Sequence, residues 1–261
     1  MTSFTYGGVL ADDLDGVEAR LTEWPSLGGL ELHTVDVPGR NGRFFGGASR
    51  EAQQIVFEIR VMGSSAEQTY RRRDELMAML DPVRGPRDLV IEGDEDWAIP
   101  EVVVAESIDW ERVIWRGGSP LSLRGDVVFE TVGPEPAALE ADPTELTGTG
   151  SLTYTHDIGN TRAFPTIVVS TNGNDEEYTI TIGDHEVSLT RFFSWGTTHE
   201  LVLDYHRMEF YLWNTDRDEA VSSAVHRMSN YDRPRLEQGQ TYQVEVSPAR
   251  AITFRPNARR I

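Results

Sequence analysis

Two histidine-glutamate pairs, His185-Glu186 and His199-Glu200, are the nearest this sequence comes to a metal-hydrolase signature. A zinc-protease helix needs a second histidine four residues after the first, so that both imidazoles share one face and the glutamate acts as base. Neither pair has one, and both lie in alternating, strand-like text where an ordinary strand histidine accounts for them. No Gly-x-Ser-x-Gly elbow presents a nucleophilic serine. All 24 basic residues are arginine, so a phosphate-binding loop lacks its lysine. The absence of cysteine removes disulfides, thiolate metal sites and thiol nucleophiles together. No cofactor is implied.

Carboxylates are abundant and cluster at Asp12 to Asp15, Gly93 to Asp96, Asn172 to Glu177 and Asp216 to Glu219. None follows the twelve-residue order of an EF-hand, and in a chain with 43 acids such clusters are expected at solvated loop tips. A carboxylate pair for glycoside hydrolysis is set by folding rather than by spacing along the chain, so an enzyme reading stays open at this level. Trp195, Tyr205, Phe210, Tyr211 and Trp213 crowd one region, as in a face that stacks sugars on rings. Leu201, Leu203 and Tyr205 alternate in one strand, and Phe210 and Leu212 in the next, which predicts that most of these aromatics are core.

The least conventional stretch is VDVPGRNGRFFGGASREAQQIVFEIRV, from Val35 to Val61. Its middle carries four glycines, three arginines and two adjacent phenylalanines between strand-like flanks, more than a tight hairpin needs. A long connection without structure of its own is usually a working surface or a disordered segment. Pro38 to Arg50 is therefore expected to be a loop, with Arg40, Arg43 and Arg50 as its cations and Phe44-Phe45 as an apolar anchor.

The elements that hold these groups are mostly strands. Residues Ile55, Phe57, Ile59 and Val61 alternate, as do Val102, Val104, Ile108 and Trp110, and then Leu121, Leu123, Val127 and Phe129. One helix is predicted over Ser65 to Leu80, opened by a Ser65/Gln68 capping box, with Tyr70, Leu76, Met77 and Leu80 on its apolar face and Pro82 after its end. Proline, small residues and acids replace the alternation after Val132, which predicts a first domain over 1–132, a linker over 133–150 and a second domain over 151–261. The strands SLTYT, PTIVVS, YTITI, HEVSL, HELVLDY, RMEFYLW, TYQVEVS and AITFRP then read as an antiparallel, jelly-roll-like sandwich. The expected class is mainly β throughout, with a single helix in the first half.

The chain has 261 residues and a formal charge of −19, a surface that repels nucleic acid and anionic membranes over much of its area. No apolar run approaches the roughly 18 residues of a membrane span, and the opening MTSFTYGGVLADDLDG has neither part of a signal peptide, so a soluble chain is expected. The lysine-free, acid-rich composition fits a GC-rich genome, through codon bias or through a halophile's hydrated acidic surface.

In their succession these segments resemble the distal tail protein (Dit) of long-tailed, siphovirus-type phages and related archaeal tailed viruses. The features that carry the resemblance are a short opening strand, PGRNG at Pro38 to Gly42, QQIVFEIRVMG, a helix ending in DELMAMLDP, LVIEGDEDWAIP and a meander closing on DVVFETVGPEP. After the linker come GNTRAFPTIVVSTNG, HELVLDYHRMEFYLW and LEQGQTYQVEVSP. The resemblance implies a tail-tube-like first domain that forms a homohexameric ring and a galectin-like second domain, in a structural virion protein and not an enzyme. It implies a place at the distal end of the tail tube, after assembly in the host cytoplasm, between the tube protein and the tail-tip hub. Tape-measure protein and tail fibres are further implied partners, DNA passes only in transit, and no membrane is involved. Under it, Arg40, Asn41, Gly42, Arg43, Phe44, Phe45 and Arg50 are expected at an oligomer interface. The alternatives are a carbohydrate- or receptor-binding tail module and a tail-tube subunit.

Overall fold

The computed structural model describes residues 2–24, 30–36, 43–116, 119–133, 137–190 and 196–261. It is mainly β, with one α-helix among the described residues, and divides into two compact units, Met1–Ala141 and Asp142–Arg260. The expected linker is not featureless, because a strand of each unit, Ala138–Glu140 and Leu146–Thr149, falls within it.

Unit 1 is built from β1 (Phe4–Tyr6), β2 (Val9–Leu10), β3 (Val17–Glu23), β4 (Leu30–Asp36), β5 (Arg43–Arg50), β6 (Gln54–Met62), α1 (Ala66–Leu80), β7 (Arg87–Ile91), β8 (Trp97–Val104), β9 (Glu111–Arg116), β10 (Ser119–Thr131) and β11 (Ala138–Glu140). Its main sheet runs β2-β1-β7-β8-β10-β6-β3, with β9 paired to β10 and β11 to β8. The long β6/β10 ladder sets the register, pairing Met62 with Ser122 at one end and Gln54 with Glu130 at the other. Strand side chains alternate in face, so Ile55, Phe57, Ile59 and Val61 all enter the core beside Leu123, Val127 and Phe129. Phe4, Phe57 and Phe129 meet there with centroid separations of 4.6 to 6.0 Å, in tilted and edge-on geometry. Truncating any one to alanine costs about 3–5 kcal/mol through lost contact and the cavity left behind.

Helix α1 covers this core with Thr69, Leu76, Met79 and Leu80. Ser65 caps it by accepting from the Gln68 amide at 3.2 Å. The return half of the expected capping box differs, since the Gln68 side chain accepts from the amide and hydroxyl of Ser64, each at 2.7 Å. Met77 is exposed rather than buried. The apolar stripe passes through 69, 76, 79 and 80, and residue 77 lies about 100° from Leu76 around the helix. Ile108 and Trp110 are also not strand residues: they lie in the β8–β9 connection, partly buried against the core.

Unit 2 comprises β12 (Leu146–Thr149), β13 (Ser151–Thr155), β14 (Thr166–Ser170), β15 (Glu177–Ile182), β16 (His185–Thr190), β17 (His199–Asp204), β18 (Glu209–Asn214), β19 (Glu219–Ser223), β20 (Thr241–Ser247) and β21 (Ala251–Arg255). The hydrogen-bonded order is β16-β15-β20-β13-β12-β21-β14-β17-β18-β19. Strands β12 and β13 meet only at Thr149 and Ser151, around Gly150 at φ +75°, where a residue with a Cβ is strained. The two halves of the path enclose one core, with Tyr178, Ile180, Val187 and Val244 from one half and Ile167, Leu201, Leu203 and Phe254 from the other. The result is a β-sandwich.

A charged clasp closes one end of that sandwich. Arg250 donates from Nε and Nη2 to the two carboxylate oxygens of Asp175 at 2.8 and 2.7 Å, and Tyr178 donates to the same carboxylate at 2.6 Å. Burial raises the Asp175 carboxyl, but the hydrogen bonds from Tyr178 and Arg250 and the guanidinium charge outweigh it and hold the group below its ordinary value. Its stabilisation is therefore fully present above the unfolded value of about 3.9 and is lost as pH falls through the lower folded value. Asp175→Asn should flatten the pH dependence of unfolding below about pH 4, read from denaturant melts. An unchanged slope there would contradict the linkage.

Candidate assembly interface

The segment expected to be a loop is in part a strand. Arg43 to Arg50 forms β5, which pairs antiparallel with β4 in a two-stranded sheet of its own. The register matches Asp36 with Arg43, Val35 with Phe44, Thr34 with Phe45, His33 with Gly47 and Leu30 with Arg50. Gly46 is the additional residue of a β-bulge between His33 and Thr34. A Cβ on Gly46 would stand 3.2 Å from the His33 carbonyl oxygen, and Gly47 has φ +146°. Both positions suit glycine, and the glycine-rich text that reads as a loop is the chemistry of a bulged strand.

Arg40, Asn41 and Gly42 lie outside the described residues. Phe44 and Phe45 are consecutive in β5, opposite Val35 and Thr34 in the register. Phe44 and Val35 thus form a cross-strand pair. Both are open to solvent, at 64% and 60% relative exposure, and Leu32 on the same strand as Val35 is 59% exposed. His33 and Ser49, joined through Nε2 and Oγ at 3.1 Å, are exposed as well.

This arm grows from the connection between β3 and β6, which are themselves neighbours in the main sheet, at the end where Glu23 pairs with Val56. A lone two-stranded hairpin is marginal in water, and one that presents aliphatic and aromatic residues gains from being covered. Exposed large apolar residues are concentrated in unit 1, ten against four in unit 2 among the described residues.

The other candidates resolve into structural roles or open surface. Asp12 accepts from the Ser3 hydroxyl at 2.7 Å, and Asp15 pairs with Arg72 of α1. The Glu95 carboxylate accepts from the Gly93 amide at 2.7 Å in the β7–β8 turn, and Asp175 belongs to the clasp. Asp216 sits in the β18–β19 turn, its amide donating to Asn214. His185 lies edge-on to buried Tyr205, and burial, only partly offset by Asp232, holds its pKa below the ordinary histidine value. Among the described residues no group of three His, Cys, Asp or Glu is placed to hold a metal ion.

Tyr205 and Phe210 are core, whereas Tyr211 and Trp213 have the opposite strand parity and stand half-exposed on the outer face. Trp195 lies outside the described residues. Tyr211 and Trp213 border an open cleft of about 310 Å³ with Glu200, Thr253 and Arg255, their rings 6.0 Å apart.

No family model matches this chain, and no curated protein matches it. Solved structures do. The SPP1 Dit protein, described as a paradigm of the hub adsorption apparatus in phages infecting Gram-positive bacteria, superposes with a TM-score of 0.69 at 14% identity, over 99% of both chains. A chain of the phage P2 baseplate in its activated conformation with Ca gives 0.51 at 10% identity over 98% of each chain. The same baseplate with Sr gives 0.50 at 10% identity, again over 98% of each chain. Across both of its units, this chain has the fold of the SPP1 Dit protein.

Proposed function

We propose that this chain is a structural subunit of a viral tail tip. Six copies form a ring at the distal end of the tail tube, join the tube to the hub, and leave a channel for DNA. The observation that carries this reading is a fold likeness to the SPP1 Dit protein that spans 99% of both chains, so that both units are matched. The chain is then a virion component and not an enzyme, with tube protein, hub, tape-measure protein and fibres as its neighbours. Unit 1 is the ring-former, because it carries the exposed arm and most of the exposed apolar side chains. Unit 2 is the galectin-like outer domain.

Charge is consistent with a conduit. Residues 1–132 contain 24 acids and 13 arginines, and an acid-rich wall does not grip phosphates as an arginine-rich one does. In the arm, Phe44 and Arg43 supply an apolar contact and a cation to the neighbouring copy, with Arg40, Asn41, Gly42, Phe45 and Arg50 in the same segment.

Light scattering should show a hexamer, or a pair of stacked hexamers, at high protein concentration. Phe44→Ser should shift that assembly toward the protomer. Because Phe44 is exposed, the same substitution should change protomer stability by no more than about 0.5 kcal/mol. A stable monomer in both low and high salt, or hexamers indifferent to Phe44→Ser, would contradict the respective parts of the proposal.

The outer-face cleft favours a second reading, a saccharide-binding tail module, since Tyr211 and Trp213 offer ring faces beside Glu200 and Arg255. Titration with a panel of oligosaccharides should then quench tryptophan fluorescence saturably, and Trp213→Ala should abolish the signal. A panel without saturable binding removes this reading and leaves the ring untouched.

A further inference from the structure

We propose that the outer-face cleft of unit 2 takes a saccharide bearing a protonated amino group, with the sugar against Trp213 and the ammonium against Glu200. The proposal rests on the saccharide reading above and names the class of sugar.

The register brings the groups together. Between β17 and β18, Glu200 stands directly opposite Trp213, Val202 opposite Tyr211 and Asp204 opposite Glu209. Directly opposed residues share a face, with Cβ atoms about 4.5–5.5 Å apart. Leu201, Leu203, Phe210 and Leu212, at the other parity, are buried, so this set occupies the outer face. Two rings are therefore bracketed by three carboxylates. Val168 of β14, which pairs with both Val202 and Thr253, continues the cleft toward Arg255 of β21.

The cations of this face do not balance its acids. Arg255 is already engaged, its Nε donating to Glu145 Oε2 at 2.9 Å. Arg207 is exposed in the β17–β18 turn and meets Asp204 through its backbone amide, at 3.0 Å. Among the described residues Glu200 has neither an ion pair nor a hydrogen-bond partner for its side chain. The Tyr211 hydroxyl registers the excess: burial first, then the charges of Asp204 and Glu209, hold its pKa above the ordinary tyrosine value against Arg207 and Arg255.

Aromatic faces carry negative quadrupole charge and attract an ammonium group, and a carboxylate beside them adds a charge-assisted hydrogen bond. An acidic sugar would be repelled by the same groups. A neutral sugar would cover Glu200 without giving its charge a counter-ion. The ring of Trp213 and the Thr253 hydroxyl, which also lines the cleft, favour a sugar that carries the amine over a bare amine.

Calorimetric titration at about pH 5.5, above the carboxylate range and below the amine range, tests this with four probes. They are tetraglucosamine, its fully N-acetylated twin, tetragalacturonate and tetralysine. Tetraglucosamine should bind saturably and at least about tenfold more tightly than the twin, and tetragalacturonate should not bind. Glu200→Gln, isosteric and on the outer face, should remove that advantage while leaving the affinity for the twin within about twofold. Trp213→Ala should weaken both sugars, and circular dichroism should show both variants folded.

A twin that binds as tightly as tetraglucosamine, or a saturable uronate, would overturn the amino-sugar assignment and leave the saccharide reading standing. Failure of all three sugars to bind would remove both. Tetralysine binding as tightly as tetraglucosamine, or tetraglucosamine binding indifferent to Glu200→Gln, would trace the attraction to the acidic surface at large and overturn the proposal.

Discussion

The nine-residue register between β6 and β10 is the constraint on which unit 1 depends. A slip of one residue would turn Ile55, Phe57, Ile59 and Val61 out to water and bring Val56, Glu58 and Arg60 in. The cost of burying those charges keeps the register single-valued, and it also fixes where β3 ends and β6 begins. Between those points Leu32, Val35 and Phe44 of the β4–β5 arm are exposed, while Gln53, just before β6, is buried.

Two consequences separate the units. Unit 2 closes its own core from both halves of a folded sheet and adds the Asp175–Arg250 clasp, so its stability is largely internal. Unit 1 has a comparable core, yet it projects a two-stranded arm and leaves an apolar groove beside α1. Exposed apolar surface of that kind is costly in a solitary molecule and useful in an assembly. This physical asymmetry is what assigns association to unit 1 in the proposal.

Much of the fold was legible because alternation and capping are local. The strands β6, β17 and β18 carry buried residues at the parity expected from Ile55 to Val61, Leu201 and Leu203, and Phe210 and Leu212; β14, β20 and β21 fall in text read as strands, and Ser65 caps α1 as its type requires. What escaped lies where local signals conflict. Gly46 and Gly47 read as loop punctuation but form a bulge, so β5 is hidden in glycine-rich text. Strand β19, Glu219–Ser223, is exposed along most of its length and has no apolar alternation to reveal it. Ile108 and Trp110 keep the right spacing for a strand while packing from a connection. At the candidate site, Arg43 and Phe44 are interface candidates from the sequence alone, whereas Val35 as the cross-strand partner of Phe44 required the register, and the groove beside α1 required the tertiary fold. Tyr211 and Trp213 stand among the candidate ring faces in the sequence, but that they alternate with buried Phe210 and Leu212 onto the outer face is fixed by the strand they share.

Electron cryo-microscopy of the purified chain, at a concentration where it associates, tests the central claim most directly. A closed six-fold ring whose continuous wall is made of unit 1, with each arm lying against the adjacent copy and unit 2 outside, is the predicted result. A ring closed by unit 2, or arms pointing into solvent around a wall that does not use them, would contradict it.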